Sequence, residues 1–312
     1  MRSVFDNDTI QIEITNACVL SCANCTRFCG HFYKPYFMKF DQFKQAIDSM
    51  VGYPYMTGLM GGEPLLHPEF EKFCDYAFEK LGKRHLGLWT CFPKGYEKYR
   101  EVICRTFDHI FLNDHTRSDI YHHPFLVAAE EMIADRKRMF LLINECWAQS
   151  SWSASINPKG AFFCEIAASL SLLFDGSKGW EVEPEWWTRT VKDYTSQIEE
   201  FCPQCGGGLP LSRRLSIDKV DDISPGNLKK LQGKSKKIDA GKYIVSDMKP
   251  VECMQPMASY KEEDYRARIA DRYGIFLVIN DLHFQTPYLK KSFNVMKAKK
   301  PLFEEYREAY GQ

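Results

Sequence analysis

Three cysteines near the N-terminus, Cys18, Cys22 and Cys25, follow a short strand-like run from Thr9 to Thr15. They read Cys18-Val-Leu-Ser-Cys22-Ala-Asn-Cys25. A loop that gathers three thiols leaves the chain on either side little freedom. Cysteine thiolates are the ligands of iron–sulfur clusters, and their spacing is the main sequence sign of such sites. Three thiolates can hold three irons of a [4Fe–4S] cluster and leave the fourth iron without a protein ligand.

A second signal follows about one strand-helix unit later, Leu59-Met60-Gly61-Gly62-Glu63-Pro64-Leu65. Two glycines let the backbone approach a ligand closely. A carboxylate at a strand end can accept charge-assisted hydrogen bonds from an ammonium. Taken alone, the segment is also a Gly-Gly turn before a helix. In this order and at this separation, the two motifs resemble those of the radical S-adenosylmethionine (SAM) superfamily. The resemblance implies that the open iron on Cys18, Cys22 and Cys25 binds the amino and carboxylate groups of SAM. It implies that Gly61, Gly62 and Glu63 meet the methionine amino group. It further implies reductive cleavage of SAM to a 5′-deoxyadenosyl radical, with an electron donor such as flavodoxin or ferredoxin. One residue departs from the pattern. In much of the family an aromatic residue precedes the third cysteine and packs near the SAM adenine; here that residue is Asn24, and Phe28 or Phe32 are the available substitutes.

The first half alternates strand-like and helix-like segments. Thr9 to Thr15, Tyr55 to Met60, Leu86 to Thr90, Ile110 to Asn113 and Met139 to Asn144 read as five strands. Helices are expected around Phe40 to Met50, Phe70 to Leu81, Tyr96 to Phe107 and Leu126 to Arg136. Such alternation implies a parallel α/β sheet with right-handed crossovers, whose ligands bind beyond the carboxyl ends of the strands. Both motifs sit at that end. The family's fold, a partial (β/α)6 barrel, is compatible with the pattern. Thr90, Asn113 and Asp114 close later strands at the same mouth; by the resemblance Asn113 and Asp114 are candidates for the SAM ribose, and as plain sequence they equally cap a helix or solvate a loop.

After residue 145 the pattern changes. Cys146 precedes a hairpin, Ala154 to Ile156 and Ala161 to Phe163, turning at Asn157-Pro158-Lys159-Gly160. Cys164 follows it. Helical stretches Ile166 to Phe174 and Glu185 to Phe201 lead to Cys202-Pro-Gln-Cys205-Gly206. This arrangement resembles the twitch domain, a shortened SPASM domain, in which four cysteines hold one auxiliary [4Fe–4S] cluster. Cys146, Cys164, Cys202 and Cys205 match it one for one. Zinc is the competing reading, since four thiolates suit a tetrahedral ion; a third makes Cys146 and Cys164 core cysteines, which are often buried. The expected organisation is a barrel over 1–145, a small α+β auxiliary-cluster domain over 146–210, and an extension over 211–312 that covers the barrel or mediates contacts.

Lys+Arg and Asp+Glu both count 41 among 312 residues, which argues against a global field for nucleic acid or an anionic membrane. No apolar run approaches the roughly 20 residues of a membrane helix, and the N-terminus lacks a signal-peptide core. Twelve cysteines without an export signal point to metal binding in the cytoplasm rather than to disulfides. Cys29 is read as structural or reactive, Cys74 and Cys104 as core. Cys91 and Cys253 are tentative hydrogen donors to a substrate radical. His31, Tyr33, Trp89, His115 and Arg117 lie near strand ends, within reach of a substrate. Lysines 229, 230, 234, 236 and 237 read as a solvated basic linker.

The resulting expectation is a radical SAM enzyme that abstracts hydrogen from a small polar substrate, sugar- or cyclitol-like, and oxidises it through the auxiliary cluster. An epimerase with a cysteine hydrogen donor is the rival. A peptide maturase is disfavoured because Cys18 stands so near the N-terminus that no leader-binding domain precedes it. A zinc-bound scaffold is the non-enzymatic alternative.

Overall fold

The computed structural model describes residues 1–93, 95–116 and 120–246 and the strand Leu277–Val278. Chain order is β1 (Thr9–Thr15), α1 (Phe40–Ser49), β2 (Met56–Gly61), α2 (Phe70–Leu81), β3 (Leu86–Thr90), α3 (Arg100–Thr106), β4 (His109–Leu112) and β5 (Tyr121–His122). Next come α4 (Ala129–Met132), α5 (Arg136–Asn144), α6 (Trp147–Ser151), β6 (Ala154–Asn157), β7 (Gly160–Phe162), α7 (Glu165–Leu173) and α8 (Thr195–Phe201). The last are β8 (Arg214–Leu215), β9 (Asp221–Ile223), α9 (Pro225–Leu231), α10 (Lys236–Asp239), β10 (Tyr243–Val245) and β11 (Leu277–Val278).

The central sheet runs β11-β4-β3-β2-β1-β6-β7. Its five inner strands, β4-β3-β2-β1-β6, are parallel; β7 and β11 close the edges antiparallel. It is a mixed α/β fold on a mostly parallel sheet. Ile10, Ile12, Leu59, Leu88, Ile110 and Ile156 line up across one face by register. Helices cover that side: Phe43 of α1 stacks on Phe73 of α2 with ring centroids 4.0 Å apart. The opposite face carries Gln11 and Glu13 on β1, Ser155 on β6, and the stacked pair Trp89–Phe111, 4.2 Å apart, on β3 and β4. Gly58 and Gly87 make room for this indole; a Cβ at Gly58 would lie 2.3 Å from Trp89. All seven β1 residues are buried, as expected of a strand flanked on both edges and covered on both faces.

Two expectations change. Met139 to Asn144, expected as the fifth strand, is helix α5. Its run looks continuous, but Met139 and Ile143, four apart, are the buried ones, and the Asp135 carboxylate accepts from the Lys137 and Arg138 amides at 2.9 and 3.2 Å as an N-cap. The fifth parallel strand is instead β6 of the hairpin, which docks on the free edge of β1. Segment 146–210 thus shares its sheet with the strands before it. The other change is at Glu185 to Phe201, where one helix gives way to two short 3-10 turns and α8; Glu185 takes a left-handed φ of 62° and Thr190 starts a new cap with Asp193. The helix expected over Leu126 to Arg136 is reduced to α4. Leu277–Val278 adds β11, antiparallel to β4, from the segment expected as an extension. Cys253, Arg117, Tyr260 to Tyr273 and Asp281 to Gln312 lie outside the described residues. Among the described residues no helix is long and apolar enough to cross a membrane.

His109 opens β4 with 1% exposure, and burial lowers its pKa to about 4. The unfolded chain then binds a proton below its ordinary value near 6.5 while the folded chain does not, so stability falls with falling pH between those values. Denaturant unfolding should lose up to about 3 kcal/mol from this group between pH 6.5 and pH 4. The pH dependence of His109→Gln should be flatter by that amount.

Candidate functional site

The site begins where β1 ends. Gly62 N donates to Thr15 O at 2.8 Å and Glu63 N to Ala17 O at 2.7 Å. The glycine segment is thereby fastened to the residues that lead into Cys18. A Cβ at Gly61 would sit 2.0 Å from Thr15 O, and one at Gly62 2.2 Å from Ala17 O. Gly61 also has φ +151°. The two glycines are therefore required by backbone meeting backbone, a reason independent of any ligand.

Glu63 is 1% exposed. Its carboxylate accepts from Thr90 Oγ1 at 2.7 Å, Leu65 N at 3.1 Å and Cys91 N at 2.8 Å. The Cys91 thiol bonds to it as well. Burial pushes the Glu63 pKa up, and the bonds from Cys91, Thr90 and Leu65 oppose that. Burial and Glu63 together push the Cys91 thiol up, and Cys91 also senses Cys18. Thr90 acts as a support for Glu63: its hydroxyl donates to the carboxylate and accepts from Phe92 N.

Cys18, Cys22 and Cys25 interact electrostatically with one another. Cys29, in a 3-10 turn at Cys29–His31, adds its thiol to the group by hydrogen bonds to Cys18 and Cys25. The Cys29 bond draws Cys25 down to about 5 against the effect of burial, while burial and the neighbouring thiols push Cys22 up. Leu20 N donates to Cys18 Sγ at 3.4 Å. His115 Nδ1 lies 3.7 Å from Cys22 Sγ and its Nε2 2.5 Å from Asn113 Oδ1. Burial, with His122 beside it, lowers the His115 pKa to about 3. Asp114 accepts from Thr116 N and Oγ1 within its own turn.

Asn24 is occupied elsewhere. It adopts a left-handed φ of 47°, which asparagine tolerates. Its amide donates to Asp222 Oδ2 at 2.8 Å and accepts from Asp222 N at 2.9 Å. It clamps the cysteine loop to β9.

Cys146, Cys164, Cys202 and Cys205 are also brought together. Cys146 and Cys164 are the N-cap residues of α6 and α7, and Cys202 is the C-cap residue of α8. A Cβ at Gly207 would meet Cys146 Sγ at 3.1 Å and Cys205 Sγ at 3.4 Å. Cys202 senses Cys205, Cys146 and Cys164. Burial pushes all four thiols up, Cys164 to about 12. Backbone amides at the two helix starts and Gly207 N, 3.3 Å from Cys205 Sγ, favour the thiolates in return.

Both donor sets are thiols with amide donors on sulfur, the chemistry that iron–sulfur clusters use. Among the described residues no three or more His, Cys, Asp or Glu side chains converge on a single-ion position. Four thiolates also suit a tetrahedral zinc ion.

Several contacts of the site carry no sequence signal. Arg27 is 3% exposed and joins Glu13 at 2.9 Å and Glu165 at 3.0 Å. His31, Asp221 and Lys237 form a buried group behind Cys22. The alternation that marks β1 does not reveal that its polar face is buried too. Tyr33 is exposed and bonds Asp239, and Trp89 belongs to the stacked floor of the sheet.

No family model matches the chain, and no curated protein matches it. A solved structure, BtrN in complex with AdoMet and 2-DOIA, is similar over 64% of this chain and 92% of that one, at 14% identity and a TM-score of 0.43. A likeness at that level carries no functional conclusion.

Glu63→Gln isolates the role of the carboxylate. A glutamine side chain must face one of these four donors with its NH2 group, leaving a buried donor unsatisfied. The substitution should cost about 1–3 kcal/mol in denaturant unfolding, although it preserves shape and removes a buried charge.

Proposed function

We propose that this chain is a radical SAM enzyme acting on a small polar substrate. The observation that carries the reading is the pair of backbone hydrogen bonds from Gly62 and Glu63 to Thr15 and Ala17. They set the carboxylate motif beside the cysteine loop at the carboxyl end of a parallel sheet, where ligands of such sheets bind. Cys18, Cys22 and Cys25 would hold a [4Fe–4S] cluster. Bound there, it would supply one electron for the reductive cleavage of SAM to a hydrogen-abstracting carbon radical.

This chain's residues then have definable tasks. Glu63 meets the SAM ammonium. Of its four donors the Cys91 thiol is the weakest, so it is the one an incoming ammonium displaces. Asn113 follows β4 at the same end of the sheet and is held by His115, whose other ring nitrogen lies 3.7 Å from Cys22 Sγ. Asn24 is committed to β9, which removes it from adenine packing and leaves that task to an aromatic such as Phe32. Trp89 and Phe111 close the sheet's inner face to water, which protects a radical from quenching.

Cys146, Cys164, Cys202 and Cys205 would hold a second cluster. Held by four thiolates, it would supply electron transfer rather than bind substrate. Net oxidation of a substrate C–H beside a hydroxyl follows, as in a sugar or cyclitol. A second reading, epimerisation, is favoured by one observation: the Cys91 thiol lies against Glu63 and senses Cys18, at the mouth where a hydrogen donor is needed.

Anaerobically reconstituted protein should carry about eight irons and release 5′-deoxyadenosine from SAM under reduction. Cys22→Ala should abolish that release. Cys164→Ala should drop iron to about four while SAM cleavage survives. Zinc with little iron would sink the enzyme reading. Solvent deuterium in the product, lost in Cys91→Ala, would replace oxidation with epimerisation.

A further inference from the structure

The three residues from Cys22 to Asn24 have their backbone groups held by distant parts of the chain. Ala23 N donates to Ser216 O at 2.8 Å, and Ala23 O accepts from His122 Nδ1 at 2.7 Å. Asn24 N donates to Asp221 Oδ1. Cys22 O accepts from Lys237 Nζ at 2.7 Å.

Lys237 was expected in a solvated linker. Its neighbours Lys229, Lys230, Lys234 and Lys236 are indeed exposed. Lys237 itself is 2% exposed and pairs with Asp221, 1% exposed, at 2.7 Å. Lysine is almost never buried without a partner. Asp221 also holds His31 Nε2 at 2.7 Å, and His31 Nδ1 bonds Ser235 Oγ at 2.8 Å. The lysine stem runs past Gly30, whose absent Cβ would meet Lys237 Cδ at 3.3 Å. A buried cation and a buried anion thus touch successive peptide groups of one cysteine loop, the cation at Cys22 and the anion at Asn24.

We propose that Lys237 and Asp221 are positioning residues that set the reduction potential of the cluster held by Cys18, Cys22 and Cys25. The inference rests on the function proposed above. Fixed charge near a cluster and its exposure to solvent govern its potential, and charge acts strongly where water is excluded. Reduction adds one electron, so the reduced cluster is the more negative state. A nearby cation stabilises it and raises the potential; a nearby anion lowers it. The side chains of the pair act in opposite directions, and removing either exposes the other's effect.

The test is an EPR-monitored redox titration of the reconstituted protein in four forms: wild type, Lys237→Gln, Lys237→Arg and Asp221→Asn. Glutamine retains a donor for Cys22 O and loses the charge. Its potential should shift negative, Asp221→Asn should shift positive, and Lys237→Arg should stay near wild type. A purely architectural role would move the neutral variants together or not at all. Shifts of the same sign, no shift, or failure of both neutral variants to take up iron while Lys237→Arg loads normally would overturn the proposal. Wild type that takes up no iron would instead overturn the function on which it rests.

Discussion

The interior of this fold depends on one arginine. Arg27 reaches Gln11 and Glu13 on β1, Met60 on β2, and both the carboxylate and the carbonyl of Glu165 at the start of α7. Two buried carboxylates share that single cation. Burial raises the Glu13 pKa, while Arg27 and Ser155 oppose the rise. Without Arg27 both acids would be stranded, and breaking a buried pair in this way costs about 3–5 kcal/mol. Because Arg27 lies two residues after Cys25, the same cation that neutralises β1's polar face also ties down the cysteine loop.

That dependence explains the division of labour around the loop. Its N-terminal side is fixed to the glycine segment by main-chain hydrogen bonds, which tolerate no side chain at Gly61 or Gly62. Its middle is held by Ser216, His122, Asp221 and Lys237. Its C-terminal side is pinned by Arg27. Three different parts of the chain converge there, so the loop's geometry is a property of the whole fold rather than of the eight residues that mark it.

The limits of sequence reading follow from this convergence. The first four strands and the hairpin were legible because they rest on local signals: alternation, Gly-Gly, Pro-Lys-Gly. The strand reading of α5 fails because five apolar residues in a row, Met139 to Ile143, hide a helical period, and the Asp135 cap that resolves the ambiguity stands before the run. The grouping of Cys18, Cys22 and Cys25 rests on local spacing, whereas that of Cys146, Cys164, Cys202 and Cys205 rests on the resemblance to a whole domain. Lys237 was not legible: nothing in Lys236-Lys237 distinguishes the exposed lysine from the buried one until Asp221 and Cys22 O are in place. The polar face of β1 was hidden for the same reason, since its partner Arg27 is recognisable only in three dimensions.

On the proposed reading the two thiol groups serve one reaction, and topology bears on how they would do so. The hairpin that carries Cys164 docks β6 directly on β1, the strand whose end opens into Cys18. Glu165, the residue after Cys164, is bonded to Arg27, the second residue after Cys25. The two loops are therefore joined through one buried ion pair, with the Arg27 guanidinium also donating to the Glu165 carbonyl. An electron acceptor serves a substrate radical only if it is close and fixed, and a shared ion pair fixes both loops against the same strand. The parallel pairing of β6 with β1 is thus the structural condition for oxidation on the proposed reading.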